Sequence, residues 1–347
     1  MLTRPAESLQ FPFPEAPKTG EVIEAAPGIL WVRLKLPFRL NHVNIYLIED
    51  GDGLAVVDTG ISNDVSRAAW EQLLNGPLKG RRLSQLIVTH YHPDHVGLAG
   101  WMVERFGLPL SMSKTEYDIA ARFSARSRTL DVDGARKFFR EHGLDQKTTE
   151  MVATRGLDYL TRVTGIPPTY RRLKMGDTIK IGGRDFKVLT GGGHSQEQVM
   201  LYCEADALFL AADQVLARIS PNVSVHVGEA DTDPLGAYIR SLDHLKAEIP
   251  PDVLVLPGHQ MPFYGLHTRA SELQAHHAVR CGLIADAVRK VPRSPGELVS
   301  FVFHIELDPH QLSFAFSEVL AHVNYMLGRN ELKWAPSTDG VKRVLAT

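Results

Sequence analysis

Three histidines and an aspartate stand within six residues in the segment VTHYHPDHVG at 88–97. The preceding letters, LSQLIVTH, predict a buried β-strand, so the cluster begins where a strand ends and the chain turns. In such a turn His90 and His92 can point to one side while Asp94 and His95 point to another. A divalent ion such as Zn²⁺ requires three or four imidazoles or carboxylates that converge on one point. The segment therefore predicts ligands for two neighbouring ions.

The same kinds of ligand recur after three later apolar runs. His194 follows LTGGG, Asp213 follows LFLAA and His259 follows LVLPG. A polar turn with coincidental histidines does not explain ligand residues at three further strand ends. We therefore interpret the cluster as part of a metal site.

The rest of the sequence predicts an α/β protein in three parts. Residues 1–20 are rich in proline and polar groups and are expected to form an N-terminal extension. Strand and helix patterns alternate over 21–265, which we assign to one catalytic domain. Within it, residues 113–165 carry three helical patterns and are interpreted as an inserted helical lid. Residues 266–347 are almost entirely helical and form a predicted C-terminal domain.

The ligand residues resemble the motifs of the metallo-β-lactamase superfamily. The matching features are its HxHxDH motif, third histidine, bridging aspartate, terminal PGH and upstream aspartate: His90, His92, Asp94, His95, His194, Asp213, His259 and Asp58. The resemblance implies an αββα sandwich with a dinuclear metal site on its edge. It also implies two ligand sets and one shared carboxylate: His90, His92 and His194 on one ion, Asp94, His95 and His259 on the other, and Asp213 between them.

The ligand set has no gap. A glutamate in place of His92 would indicate the oxygen-reducing diiron branch, and loss of Asp94 or His95 would indicate a single ion or an inactive site. One small departure is Ala212, where many members have glycine before the bridging aspartate. Its methyl group is expected to tighten the turn without removing a ligand.

The implied chemistry is hydrolysis. Two ions about 3.5–4 Å apart can hold a bridging hydroxide at neutral pH and polarise a substrate oxygen. We expect two Zn²⁺ ions, with Fe or Mn as alternatives, and Asp94 and Asp58 as catalytic residues. Asp94 would orient the hydroxide, whereas Asp58 and Thr89 would fix the ligating imidazoles from behind. The alternative for Asp58 is a strand-end carboxylate that only satisfies backbone N–H groups.

The C-terminal region offers a second resemblance, to the winged-helix-like appendage of the lactamase-β-like endoribonuclease branch. It rests on the sequence segments HHAVR, SPGELV and EVLAHVNYMLGRN. A phosphodiester substrate requires a basic groove, but these helices carry little net positive charge, and the whole chain, with 38 basic and 40 acidic residues, has a net charge of −2. His276 and His277 are interpreted as packing residues, with a place on the active-site rim as the alternative.

The predicted lid favours a small substrate because it narrows access to the metals. Since every ligand lies outside 113–165, its removal is expected to leave metal binding intact. The segment ARISPNVSVHV after Asp213 either forms part of the pocket or is a plain loop. Five arginines offer a carboxylate or phosphate contact, with a solvated face as the alternative: Arg122, Arg126, Arg128, Arg171 and Arg172.

The sequence therefore predicts a metal-dependent hydrolase of small ester-like substrates, with thioesters (a glyoxalase-II-like reaction) and lactones first. A phosphodiesterase or endoribonuclease is the alternative enzyme, and a metal-dependent sensor that contacts DNA is a third hypothesis. Only Cys203 and Cys281 occur, and no signal-peptide or membrane-span pattern is apparent. We expect a cytoplasmic protein with a small-molecule partner and neither nucleic acid nor membrane; the oligomeric state is not predicted.

Overall fold

The strands form two sheets that pack face to face. The computed structural model describes residues 9–124, 131–154, 159, 161–304 and 307–347. The first sheet has seven strands in chain order: β1 (Ile23–Ala26), β2 (Ile29–Lys35), β3 (His42–Asp50), β4 (Gly53–Val57), β5 (Arg82–Ile87), β6 (Leu110–Ser113) and β7 (Arg171–Leu173). The strands from β1 to β4 pair antiparallel, and those from β4 to β7 pair parallel.

The second sheet has five strands: β8 (Thr178–Ile181), β9 (Arg184–Gly191), β10 (Gln198–Cys203), β11 (Leu208–Ala212) and β12 (Leu254–Pro257). They lie in the order β12-β11-β10-β9-β8, with β11 and β12 parallel and the other neighbours antiparallel. A separate antiparallel hairpin near the C-terminus consists of β13 (Leu332–Ala335) and β14 (Arg343–Ala346).

The helices lie outside the sheets. They are α1 (Asp64–Asn75), α2 (Pro93–Val96), α3 (Ala99–Phe106), α4 (Lys114–Ser124), α5 (Val132–Glu141), α6 (Gln146–Ala153), α7 (Pro234–Glu248), α8 (Leu266–Ala287), α9 (Pro295–Val302) and α10 (Pro309–Gly328). Within the described ranges, no helix is both long and apolar enough to cross a membrane.

The near-continuous apolar run of β3 is explained by burial on both faces. Tyr46 and Ile48 join the core between the two sheets, whereas Ile45 and Leu47 join the core beneath the outer helices. This division follows from the two-residue period of a strand. Helices α1, α3 and α4 cover the outer face of the first sheet, and α7 covers that of the second. The expected αββα sandwich is therefore confirmed.

The C-terminal helices continue the core on the outer face of the second sheet. Ser294 and Asp308 start α9 and α10 with capping boxes, in which the side chain accepts the N–H three residues later while Glu297 or Gln311 reaches back. Proline follows each cap at the first helical position, where its missing N–H costs nothing. These local signals explain why both helices begin where they do.

The predicted insertion divides between two neighbours. Helix α4 packs on the first sheet through Ile119 and Ala120. Helix α5 instead packs on α10, where the rings of Phe138 and Phe139 lie 6.1 and 5.4 Å from the ring of Phe316. The described residues of the segment form α4, α5 and α6, and the last two of these helices share an apolar core with the C-terminal helices.

Candidate metal centre

The predicted ligands meet at one edge of the sandwich because each lies at or just beyond the carboxyl end of a strand. The first four follow β5 and lie just before or within α2, and the other three follow β9, β11 and β12 in turn. In chain order they are His90, His92, Asp94, His95, His194, Asp213 and His259. The structure brings all seven together into overlapping groups whose ligand atoms lie within 4.8 Å of one another.

Three imidazoles form the first group. Nδ1 of His92 lies 3.0 Å from Nε2 of His90 and 3.0 Å from Nε2 of His194. Zinc–nitrogen bonds are about 2.0–2.1 Å long, so nitrogens on one ion are separated by roughly 3–3.5 Å. The observed spacing fits a common ion.

Asp94, His95 and His259 form the second group. Oδ2 of Asp94 lies 3.4 Å from Nε2 of His259 and 3.8 Å from Nε2 of His95. One carboxylate and two imidazoles therefore face one another, which is a ligand set suited to a divalent ion.

Asp213 lies between the two groups. Its Oδ2 is 3.4 Å from Nε2 of His194 and 3.1 Å from Nε2 of His259, and its Oδ1 is 3.5 Å from Nε2 of His95. Oδ1 of Asp213 and Nε2 of His95 are buried and have no hydrogen-bond partner among the described residues. Since unpaired buried polar atoms are costly, the donor set fits a cation that would satisfy both.

Backbone carbonyls fix the protonation of two ligands. Nδ1 of His194 lies 2.9 Å from the carbonyl oxygen of Asn222, and Nδ1 of His259 lies 2.6 Å from that of His42. A carbonyl can only accept, so each Nδ1 must carry the proton. The lone pair of each Nε2 is thereby directed at the centre.

Asp58 fixes two more imidazoles. It accepts hydrogen bonds from the backbone N–H and the hydroxyl of Thr89, both at 2.8 Å, and from Nδ1 of His95 at 2.8 Å. The Thr89 hydroxyl then remains free to accept from Nδ1 of His90 at 2.9 Å. Asp58 thus accepts a backbone N–H and also positions the ring of His95 and, through Thr89, that of His90. Both interpretations offered by the sequence therefore apply to it.

The charges of the site suit cation binding. Burial, reinforced by the neighbouring imidazoles, holds the pKa of His90 and His92 well below the usual value, so both imidazoles are neutral. Burial alone would raise the pKa of Asp213, but His259 and His95 outweigh it and lower that pKa well below its usual range. Burial would likewise lower the pKa of His259, but Asp213 and Asp94 together outweigh it and raise that pKa to about 10. An incoming ion must therefore displace a proton there.

Glu116 on α4 supports the centre and was not anticipated from the sequence. Its buried carboxylate accepts the backbone N–H of Tyr91 at 3.1 Å and that of Glu197 at 2.6 Å. It therefore ties the loop of the first two histidines to the loop that follows His194. Burial raises its pKa, although both hydrogen bonds favour the ionised form. An available signal was its place on the apolar face of α4, three residues before Ile119.

Aromatic side chains pack beside the first group. The ring of Tyr91 lies 4.7 Å from that of His92 and stacks on that of Phe123 at 6.1 Å. Tyr159 lies 5.0 Å from Phe123 and donates its hydroxyl to the carbonyl of Tyr91. This aromatic wall, made of Tyr91, Phe123 and Tyr159, gives one side of the site an apolar surface.

The segment ARISPNVSVHV runs past the ligands and does not lead away from them. It supplies the Asn222 carbonyl, and Nε2 of His226 lies 3.4 Å from the hydroxyl of Tyr91. The side chain of His226 is exposed. An exposed polar side chain therefore stands at the edge of the aromatic wall.

The remaining predicted contacts are spread more widely. The guanidinium of Arg122 lies 6.0 Å from the ring of Phe123, beside the aromatic wall. Arg171 and Arg172 are exposed on β7, and Arg126 and Arg128 lie outside the described residues. His277 is buried between α8 and α10, as the packing interpretation expects.

Comparisons with known protein families and structures match most of the chain. The family model described as "Metallo-beta-lactamase superfamily" matches residues 39–259, and the one described as "Metallo-beta-lactamase-like, C-terminal domain" matches residues 281–346. A crystal structure of a beta-lactamase domain protein from Burkholderia ambifaria is 39% identical, with a TM-score of 0.91 and 98% of each chain covered.

Two curated relatives are also similar. The probable metallo-hydrolase YqjP of Bacillus subtilis (strain 168) is 26% identical over 247 residues, which cover 67% of this chain and 72% of the relative. A linear primary-alkylsulfatase of Pseudomonas sp. (strain ATCC 19151) is 26% identical over 279 residues, which cover 76% of this chain and 50% of the relative. This chain therefore spans only half of the second relative.

Proposed function

This chain belongs to the metallo-beta-lactamase superfamily and is a metal-dependent hydrolase, and on that premise we propose that it uses two metal ions to hydrolyse small ester-like substrates. Thioesters and lactones are the first candidates. The observation that carries the proposal is the position of Asp213, whose two oxygens reach ligands of both groups at 3.1–3.5 Å. A carboxylate in that position can join two ions in one site.

The proposed ligands are the seven side chains described above, and zinc is the proposed metal. Five imidazole nitrogens and two carboxylates suit Zn²⁺, with Fe and Mn as alternatives. When bound, two such ions would supply a Lewis acid for the substrate oxygen and a water made acidic enough to deprotonate near neutral pH.

Asp94 is the proposed residue that orients the attacking water. Its side chain is 20% exposed, compared with 7% for Asp213, so Asp94 is the ligand carboxylate more open to the cleft. Burial would raise the pKa of Asp94, but His95 and His259 together lower it, so the side chain is an ionised acceptor. Asp58 touches no reacting atom and is proposed to act by positioning His95.

The aromatic wall supports a substrate with an apolar acyl or ring portion. Tyr91 and Phe123 stack on each other beside His92, and the exposed His226 adds a hydrogen-bonding group at their edge. Arg122 stands near enough to meet a carboxylate on the same substrate. A small amphiphilic ester fits this combination better than a folded RNA, which would need several phosphate contacts.

Hydrolysis of an alkyl sulfate is a second candidate. A linear primary-alkylsulfatase is among the relatives of this chain. Such a substrate joins an apolar chain to an anionic head, which the aromatic wall and Arg122 would accommodate. It differs from the first candidate in the bond that is cleaved, so product analysis separates the two.

The test is a substrate panel with zinc-reconstituted protein: an acyl-glutathione thioester, a lactone, an alkyl sulfate, bis-p-nitrophenyl phosphate and single-stranded RNA. We expect turnover of the thioester or the lactone, with kcat/KM changing only a few-fold between roughly 50 and 200 mM salt. Asp213→Ala should lose metal and activity together, while the exposed control Asp118→Ala should keep both. Cleavage confined to RNA and falling by orders of magnitude over that salt range would overturn the proposal in favour of a nuclease.

A further inference from the structure

We propose that a further divalent metal ion binds between α8 and α10, held by His277, Glu318 and His322. One ligand atom from each of the three lies within 4.8 Å of the other two, and all three residues are buried. Nδ1 of His277 is 3.0 Å from Nε2 of His322. This site is built on helices of the C-terminal region and shares no residue with the dinuclear centre, so it does not depend on the proposed function.

The helical spacing creates the cluster. Glu318 and His322 are four residues apart on α10 and therefore project from the same face of that helix. Nδ1 of His322 donates to the carbonyl of Glu318 at 2.7 Å, which fixes the proton on Nδ1. The lone pair of Nε2 is consequently directed at His277 on the facing helix.

Hydrogen bonding within the cluster leaves a nitrogen lone pair unused. Two neutral imidazoles carry two protons, and one of these is fixed on Nδ1 of His322. If the other is on Nδ1 of His277, it bonds His322 and leaves Nε2 of His277 as a buried acceptor, which has no partner within the described part of the chain. If it is on Nε2, two lone pairs face each other at 3.0 Å. A cation between Nδ1 of His277 and Nε2 of His322 would bind both of those lone pairs, with the proton of His277 on Nε2.

Arg280 is the charged neighbour of the cluster, and it is paired with Oε1 of Glu318. An ion would therefore bind Glu318 through its other carboxylate oxygen. Because Arg280 repels a cation, we expect weaker binding here than at the dinuclear centre.

The chemical class of the ion follows from the donors. Two imidazoles and one carboxylate favour Zn²⁺, Co²⁺ or Ni²⁺ over Ca²⁺ or Mg²⁺, which prefer all-oxygen sites. An ion bound to both helices would join α8 to α10 and stabilise the folded C-terminal region by its binding free energy. The expected role is structural.

The test measures zinc per chain by equilibrium dialysis and elemental analysis on the full chain. His277→Gln and His322→Gln should each bind one zinc ion fewer than the unaltered protein. His276→Gln is the matched control, because this neighbouring histidine on α8 is outside the cluster and should not change the count. Saturating zinc should raise the Tm of Asp213→Ala by roughly 5 °C. The Tm of the double variant Asp213→Ala/His322→Gln should not rise.

The outcomes separate this site from the dinuclear centre. Asp213→Ala should lose the ions of that centre and keep the one bound by the C-terminal helices. Glu318→Gln preserves the side-chain shape, so its zinc content per chain tests the site if either histidine variant fails to fold. Equal zinc content in the unaltered protein, His277→Gln, His322→Gln and Glu318→Gln would overturn the proposal and leave the cluster as a buried hydrogen-bonded pair.

Discussion

Asp58 and His95 are joined by a 2.8 Å contact between Oδ2 and Nδ1, with both side chains buried. Asp58 has a φ of +67°, a left-handed conformation that is uncommon for residues other than glycine, and it holds this shape at the end of β4. The contact fixes the ring of His95 so that Nε2 faces Asp213. A residue that we expect to bind no ion therefore determines how a ligand is presented.

Replacing Asp58 with asparagine should weaken metal binding. Asparagine tolerates a left-handed φ, so the backbone is preserved while the charged acceptor for Nδ1 of His95 is lost. We expect metal affinity to fall by about 10–100-fold, the usual cost of removing such a supporting acceptor. Competition with a chromophoric chelator measures this. The exposed Asp52→Asn serves as control, and unchanged affinity in Asp58→Asn would show that His95 needs no such support.

Glu116→Gln should destabilise the protein and loosen the centre. Each carboxylate oxygen accepts one backbone N–H, from Tyr91 and from Glu197, but a glutamine offers only one acceptor and turns a donor toward the other. One buried N–H is left unpaired, so the free energy of unfolding should fall by about 1–3 kcal/mol. Urea denaturation measures this, with the exposed Glu104→Gln on α3 as control. A stability equal to that of the control would contradict the assigned role.

Excision of residues 113–165 should abolish metal binding as well as remove the predicted lid. The sequence alone led to the expectation that metal binding survives, because every ligand lies outside the segment. The structure changes that expectation, since Glu116 and the hydroxyl of Tyr159 both hold the backbone of Tyr91 between two ligands. We expect metal loss in any folded excision product, measured by elemental analysis alongside circular dichroism. Full metal retention would restore the view of the segment as a simple lid.

Ala212→Gly should be neutral or stabilising by up to about 1 kcal/mol. Ala212 has a φ of +45°, and a side chain in the left-handed region costs roughly 1–2 kcal/mol, which glycine avoids. This offsets the glycine's greater loss of conformational freedom on folding. The neighbouring Ala211→Gly is the matched control, because Ala211 is buried in β11 and has no positive φ. In thermal unfolding, the Tm of Ala211→Gly should be lower than that of Ala212→Gly. The reverse order would refute the strain argument.

His142→Gln should reduce the acid sensitivity of the fold. Burial lowers the pKa of His142, which donates from Nδ1 to the carbonyl of Phe138 at the end of α5. A histidine with a lowered folded-state pKa contributes stability above its unfolded pKa of about 6.5 and loses it as the pH falls through the folded value. The unaltered protein should therefore lose on the order of 1 kcal/mol more than the variant between roughly pH 7 and pH 5.

Glutamine at position 142 can still donate to that carbonyl, so the hydrogen bond need not be lost at neutral pH. The comparison is made by urea denaturation at several pH values. His304→Gln, at an exposed position, should follow the unaltered protein. Parallel pH profiles for His142→Gln and the unaltered protein would rule out this histidine as a contributor.

The sequence by itself determined the layers of the fold and the identity of the candidate ligands. His90, His194 and His259 each follow an apolar run, and strand patterning is a local property that neighbouring letters reveal. The ends of such strands meet at one edge because the sheets require it. The resemblance to the metallo-β-lactamase motifs then assigned residues as far apart as His90 and His259 to one centre before any distance was known.

Only the tertiary structure decided which side chains hold the ligands in place. Glu116 contacts Tyr91 and Glu197, which are 25 and 81 residues away, and no local spacing encodes such a pairing. The same holds for Phe139, whose place on an apolar helix face predicts burial but not Phe316 as its partner. Hydrophobic burial is non-directional, so a sequence pattern specifies that a face is covered. Which element covers it depends on the packing of the whole chain.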